Sequence, residues 1–96
     1  MDSDNFIRIA RMLVTDYVSP TEDNYISSDF INETTFVVWS SKTLQNNKAL
    51  IGVNIGEGLY FEITYNGDKE ELYLDAYKKE ENQAYSLKDE KIELLK

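Results

Sequence analysis

The tyrosines and carboxylates between Tyr60 and Tyr77 are the residues whose types and spacing could do chemistry. Glu62 and Asp75 lie on neighbouring apolar-rich runs, where they could face each other as a carboxylate pair of the kind that two-carboxylate glycoside hydrolysis requires. Any antiparallel sheet with acidic residues offers such pairs, so solvated charge is the simpler account. Asp68 with Glu70 and Glu71, or Glu80 with Glu81, could weakly gather a divalent cation, but the spacing of a calcium loop is missing. The chain has no Cys and no His. That removes the thiolate and imidazole metal ligands, the cysteine nucleophile and the side chain best suited to proton transfer near neutral pH. No Gly-rich phosphate loop is present either. The expectation is a protein that is not an enzyme and uses no metal or cofactor.

Tyr60, Tyr73 and Tyr77 suggest a different chemistry. They alternate with apolar neighbours, so one sheet face would carry them beside Glu62, Asp75, Thr64 and Leu50. Tyrosine gives a large contact area with a polar tip, which suits a partner-binding or dimerisation face. Two blander accounts compete: a C-terminal helix covers the face, or cross-strand tyrosine pairs only stabilise the sheet.

The elements that must position these residues follow from periodicity. From Thr35 to Tyr77, apolar runs rich in β-branched and aromatic residues are separated by Asn- and Gly-containing breaks. Connections this short join antiparallel neighbours, so a four-stranded meander is expected, with strands near 35–44, 48–55, 59–66 and 70–78. Ala49, Ile51 and Val53, with Leu59, Phe61, Ile63 and Tyr65, form the buried set, joined by Leu72, Leu74 and Ala76. Gly56 and Gly58 suit the turn between the second and third strands. The next turn is either two residues at Asn66-Gly67, which opposes Glu62 and Glu71, or four residues at 66–69, which avoids that clash. A two-residue turn at Asn46-Asn47 would bury Phe36, Val38, Ser40, Lys42 and Leu44. A loop one residue longer would bury Val37, Trp39, Ser41 and Thr43 and is preferred, because it keeps Lys42 out of the core and the indole in it.

Upstream, Phe6, Ile9, Ala10, Leu13 and Tyr17 recur at helical spacing, predicting a helix over 4–18 that covers the sheet, capped by Ser3 or Asp4 and stopped by Pro20. Residues 21–34 read as a polar connection with one helical turn capped by Ser28. Downstream, Ser86 and Asp89 resemble a capping box ahead of Leu87, Ile92, Leu94 and Leu95, predicting a short helix near 87–95. The fold class is therefore α+β: an N-terminal helix on a four-stranded antiparallel meander, in one domain spanning residues 1–96.

Charge narrows the partner. The net charge is −8, with seven acids in residues 1–33, nine in residues 67–96 and near neutrality between. Direct nucleic-acid binding is disfavoured, since phosphate recognition needs clustered Lys and Arg. The acidic N-terminus lacks the features of a signal peptide, and no stretch approaches the ~20 apolar residues of a membrane span. A cytoplasmic protein without membrane contact is expected.

Two stretches, WSSKTLQNNKAL from Trp39 and YFEITYNGDKEELYLDAYKK from Tyr60, make the chain similar to a group of small phage and prophage proteins of Gram-positive bacteria. The resemblance runs from the first helix through Lys79. It implies an accessory role in an infected cell and brings no catalytic residues. Together with the acidic balance, it gives the functional expectation: a protein that binds and inhibits a host macromolecule, such as a nucleic-acid-handling defence enzyme of the CRISPR effector type. Tyr60, Tyr73, Tyr77, Glu62 and Asp75 would form the contact, with Asp23 and Asp29 steering approach. The alternative is a homo-oligomeric structural protein or a small-nucleotide-binding accessory protein without catalysis.

Overall fold

The computed structural model describes residues 1–20, 26–56 and 58–95. Helix α1 (Ser3–Val18) is capped by Asp2, whose carboxylate accepts from the Asn5 backbone N–H at 2.7 Å. The cap therefore lies one or two residues before the expected Ser3 or Asp4. The helix ends where the Ser19 N–H donates to the Thr15 carbonyl, immediately before Pro20. Its buried face is Phe6, Ala10, Val14 and Thr15, rotated from the expected stripe so that Tyr17 stays exposed. Thr15 tolerates burial because its hydroxyl donates to the Arg11 carbonyl.

Helix α2 (Ser28–Thr34) is longer than the single turn expected and is capped by Ser27 rather than Ser28, with Ser27 Oγ accepting from the Phe30 N–H. It runs directly into β1. The strands β1 (Thr35–Thr43), β2 (Asn46–Val53), β3 (Leu59–Asn66) and β4 (Glu71–Lys78) form an antiparallel sheet in that spatial order. One face packs against α1. Ala49, Ile51, Phe61 and Ile63 form a single core with Phe6, Ala10 and Val14, and Tyr17 meets Phe61 edge-on with ring centroids 5.5 Å apart. Arg11 ties the layers together: its Nε and Nη2 donate to Thr35 Oγ1 and the Thr35 carbonyl, at 2.9 and 3.0 Å.

The odd-numbered face of β2 and β3 meets the helix as the alternation predicts. Leu72, Leu74 and Ala76 lie on the same side but are only lightly covered, because α1 sits over β1 to β3 and not β4. The turn between β3 and β4 spans four residues, 67–70, and pairs Asn66 with Glu71. Glu62 therefore opposes Asp75, and the clash with Glu71 is avoided.

The β1–β2 connection departs from both expected loops. The turn is Leu44-Gln45, with Leu44 at φ 57°, so both asparagines belong to β2. Asn47 is buried on the helix side, and its amide has no hydrogen-bond partner among the described residues. A bulge at Val38 shifts the register once more. Thr35, Val37, Ser40 and Lys42 share the helix-facing side with Val53, Ile51, Ala49 and Asn47, while Phe36, Trp39 and Ser41 stand on the other. The preferred burial of Trp39, Ser41 and Thr43 is thus overturned, because one extra residue in a strand inverts everything beyond it. Gly67 closes this end of the sheet: a β-carbon there would meet the Gln45 carbonyl oxygen at 2.3 Å, so only glycine lets the two turns touch.

The expected C-terminal helix is a second correction. Residues 84–95 form a hairpin, β5 (Ala84–Lys88) and β6 (Lys91–Leu95), turning at Asp89-Glu90 with both φ angles positive. Tyr85 pairs with Leu94 and Leu87 with Ile92, a period of two that outcompetes the capping-box signal. Among the described residues, no helix is long and apolar enough to cross a membrane.

Candidate functional site

Because α1 covers one face of the sheet, the other face is left open, and the register determines what it displays. Directly paired residues share a face. The first row across the sheet is Phe36, Gly52, Tyr60 and Tyr77; the second is Trp39, Leu50, Glu62 and Asp75; the third is Ser41, Lys48, Thr64 and Tyr73. Three of the four strands thus contribute an aromatic ring to the first two rows. Phe36, Trp39, Tyr73 and Tyr77 are exposed, and Tyr60 is half-buried between its neighbours. No described element lies across these rings.

All five sheet residues expected to form a contact, Tyr60, Tyr73, Tyr77, Glu62 and Asp75, fall on this face. Phe36 and Trp39 also belong to it: the preferred alternation in β1 leaves Phe36 outward and Trp39 inward, and the bulge at Val38 is what brings both rings to one face. A signal for Phe36 did exist in Gly52: a bare backbone in a central strand invites an aromatic ring from the adjacent strand. Asp29 is exposed in the first turn of α2, which packs on α1 and β1, so it stands apart from the tyrosines. Asp23 lies outside the described residues.

The electrostatics of the face are mildly acidic. Glu62 and Asp75 oppose each other, and Lys48 Nζ approaches Glu62 Oε1 at 3.3 Å, offsetting part of the like-charge repulsion. The pair has a lysine beside it and stands on an open surface. The Tyr73 hydroxyl donates to Glu71. This bond holds the phenol above its usual pKa, because the neutral form is the donor and the nearby negative charge opposes ionisation.

On the helix side, an apolar cleft of about 450 Å³ lies under Tyr17, lined by Val18, Ile55, Leu59, Phe61 and Ala76. It can accept an apolar group, and the polar side chains among its lining residues are Tyr17, Tyr77 and Lys78. Among the described residues, no cluster of three or more carboxylates is placed to hold a metal ion.

The model of DUF6275, a family of unknown function, matches residues 7–87. The chain belongs to this family. The DUF6275 region takes in most of α1, all of α2 and the whole four-stranded sheet, so the open face is part of it, whereas the hairpin turn and β6 lie beyond it. No curated protein and no solved structure matches the chain.

Proposed function

We propose that this protein is a non-catalytic binding protein whose open sheet face docks on a basic surface of a protein partner. The observation that carries the reading is the convergence of Phe36, Trp39, Tyr60 and Tyr77 in two adjacent rows flanked by Glu62 and Asp75, with Phe36, Trp39 and Tyr77 exposed and Tyr60 half-buried between them. Rigid aromatic side chains lose little entropy when immobilised, and their burial against a partner slows dissociation. The net charge of −8 speeds encounter with Lys- and Arg-rich surfaces and disfavours nucleic acid itself. Exposed rings on a sheet also suit base stacking, but an RNA-reading sheet needs cations around its rings, and here the nearest charges are mostly carboxylates.

The resemblance to phage and prophage proteins supports a finer version of this reading. In it the partner is a nucleic-acid-handling enzyme of the bacterial host, for example a CRISPR effector, inhibited by occupation of its basic groove. The test is capture from host lysate at low and high salt, comparing wild type with a Tyr60→Ala/Tyr77→Ala variant of confirmed fold. A protein retained by wild type, released by salt and lost with the variant supports the reading. Identical capture by both overturns it.

A further inference from the structure

The hairpin sorts its residues unevenly between its two sides. Tyr85, Leu87, Ile92 and Leu94 share a wholly apolar or aromatic face, while Ser86, Lys88, Lys91 and Glu93, with Ala84 and Leu95 at the open end, share the other. Leu87 is 74% exposed and Ile92 71%. The hairpin makes no substantial packing contact with another element. A two-stranded hairpin is at best marginally stable in water without something against its apolar face. This one also carries two non-glycine residues at positive φ in its turn, so its stability must come from a surface that covers it.

The molecule as a whole is also too open for a compact monomer. Its accessible surface is 7259 Å², against about 5,700 Å² for a compact monomer of its mass. Its radius of gyration is 16.5 Å, against about 12.5 Å for a compact domain of this length. The excess of roughly 1,500 Å² per chain, buried between two copies, falls in the range of obligate homodimers. Two orphan surfaces are available to bury it, the hairpin's apolar face and the aromatic sheet face. They lie within reach of each other, since β4 delivers the chain at Lys78, next to the Phe36–Tyr60–Tyr77 row, and residues 79–83 then lead to the hairpin.

We infer that the free protein is a two-fold dimer in which the β5–β6 hairpin of each copy lies with its apolar face across the open sheet face of the other. A two-fold axis makes the exchange reciprocal, so each copy has both orphan surfaces covered by one symmetric contact. The inference rests on the same face as the proposed function and adds to it: a partner must compete with the second copy's hairpin, so dimerisation masks the site until a partner displaces it.

Sedimentation equilibrium of the full chain tests this. Wild type should have twice the 11.2 kDa monomer mass at micromolar concentration. Trp39→Ala on the sheet face and Leu87→Asp/Ile92→Asp on the hairpin should each raise the dimer dissociation constant at least tenfold while far-UV circular dichroism retains the sheet signal. Because the chain has no cysteine, a second experiment distinguishes exchange between copies from folding back within one. Tagged Leu50→Cys protein is mixed with untagged Ile92→Cys protein and treated with a short bis-maleimide. A cross-link between the tagged and untagged chains is expected. A monomeric wild type, a dimer indifferent to both sets of substitutions, or a mixture without the cross-link overturns the inference. All three readouts concern the protein alone, so their failure leaves partner capture by the sheet face standing or falling separately.

Discussion

The ring of Phe36 rests on Gly52: a β-carbon at residue 52 would meet Phe36 Cζ at 2.2 Å. The two residues are direct cross-strand partners on the open face, so the glycine is what allows an edge-strand ring to lie flat over a central strand. Gly52→Ala must push the ring away. The displaced ring is exposed and can swing aside, so global stability should change by no more than about 1 kcal/mol, while affinity at the open face falls. Adding Phe36→Ala to Gly52→Ala should leave that affinity no worse. Paired urea denaturation and binding measurements on the two variants check this, and a large stability loss with intact binding would contradict it.

Arg11 joins α1 to the start of β1 through two hydrogen bonds to Thr35, whose own hydroxyl donates to the Ile31 carbonyl at the end of α2. Arg11→Met keeps the aliphatic stem and removes the fork. A loss of about 1.5–3 kcal/mol in unfolding free energy is expected, the usual size for hydrogen bonds to a charged group. Arg11→Lys should recover little, since one ammonium cannot reproduce both bonds.

Tyr73 gives a pH signature. Its bond to Glu71 raises the phenol's pKa in the folded protein above the unfolded value of ~10. The interaction is thus fully present below that value and is lost as pH rises through the higher folded pKa. NMR titration of the tyrosine ring carbons should place Tyr73 above an unperturbed tyrosine, and Glu71→Ala should bring it back toward ~10.

The hairpin turn places Asp89 and Glu90 at φ 50° and 61°, where Asn-Gly is the favoured pair. Asp89→Asn/Glu90→Gly relieves roughly 1 kcal/mol or more of backbone strain. If the hairpin seals the dimer, the variant should dimerise several-fold more tightly. Unchanged or weaker association would mean that the hairpin does not order on binding.

Much of this architecture was legible in the residues. Alternation in β2 and β3 identified the helix-facing side because both strands are central and regular, so a period of two runs through them unbroken. β1 was misread at Val38, since a bulge leaves no mark on the alternation until the pairing partner is known. The C-terminal segment was misread because Ser86 and Asp89 imitate a helix start, while the competing signal is only two short alternating runs. For the candidate site, the tyrosines were found from alternation alone. The ground for burying Trp39, that a large indole belongs in a core, fails because the bulge at Val38 turns the ring to the face opposite α1.

The central claim is that the open sheet face docks a basic protein surface, and the most direct measurement uses the Leu87→Asp/Ile92→Asp background, in which the hairpin cannot compete. Binding kinetics of the captured partner should be followed there with and without Trp39→Ala or Tyr77→Ala, across a range of salt. The account predicts that each substitution weakens binding about tenfold, or ~1.4 kcal/mol, mainly through faster dissociation. It also predicts slower association as salt rises, with Asp29→Asn acting on the association rate alone. A partner whose affinity ignores both the rings and the salt would contradict it.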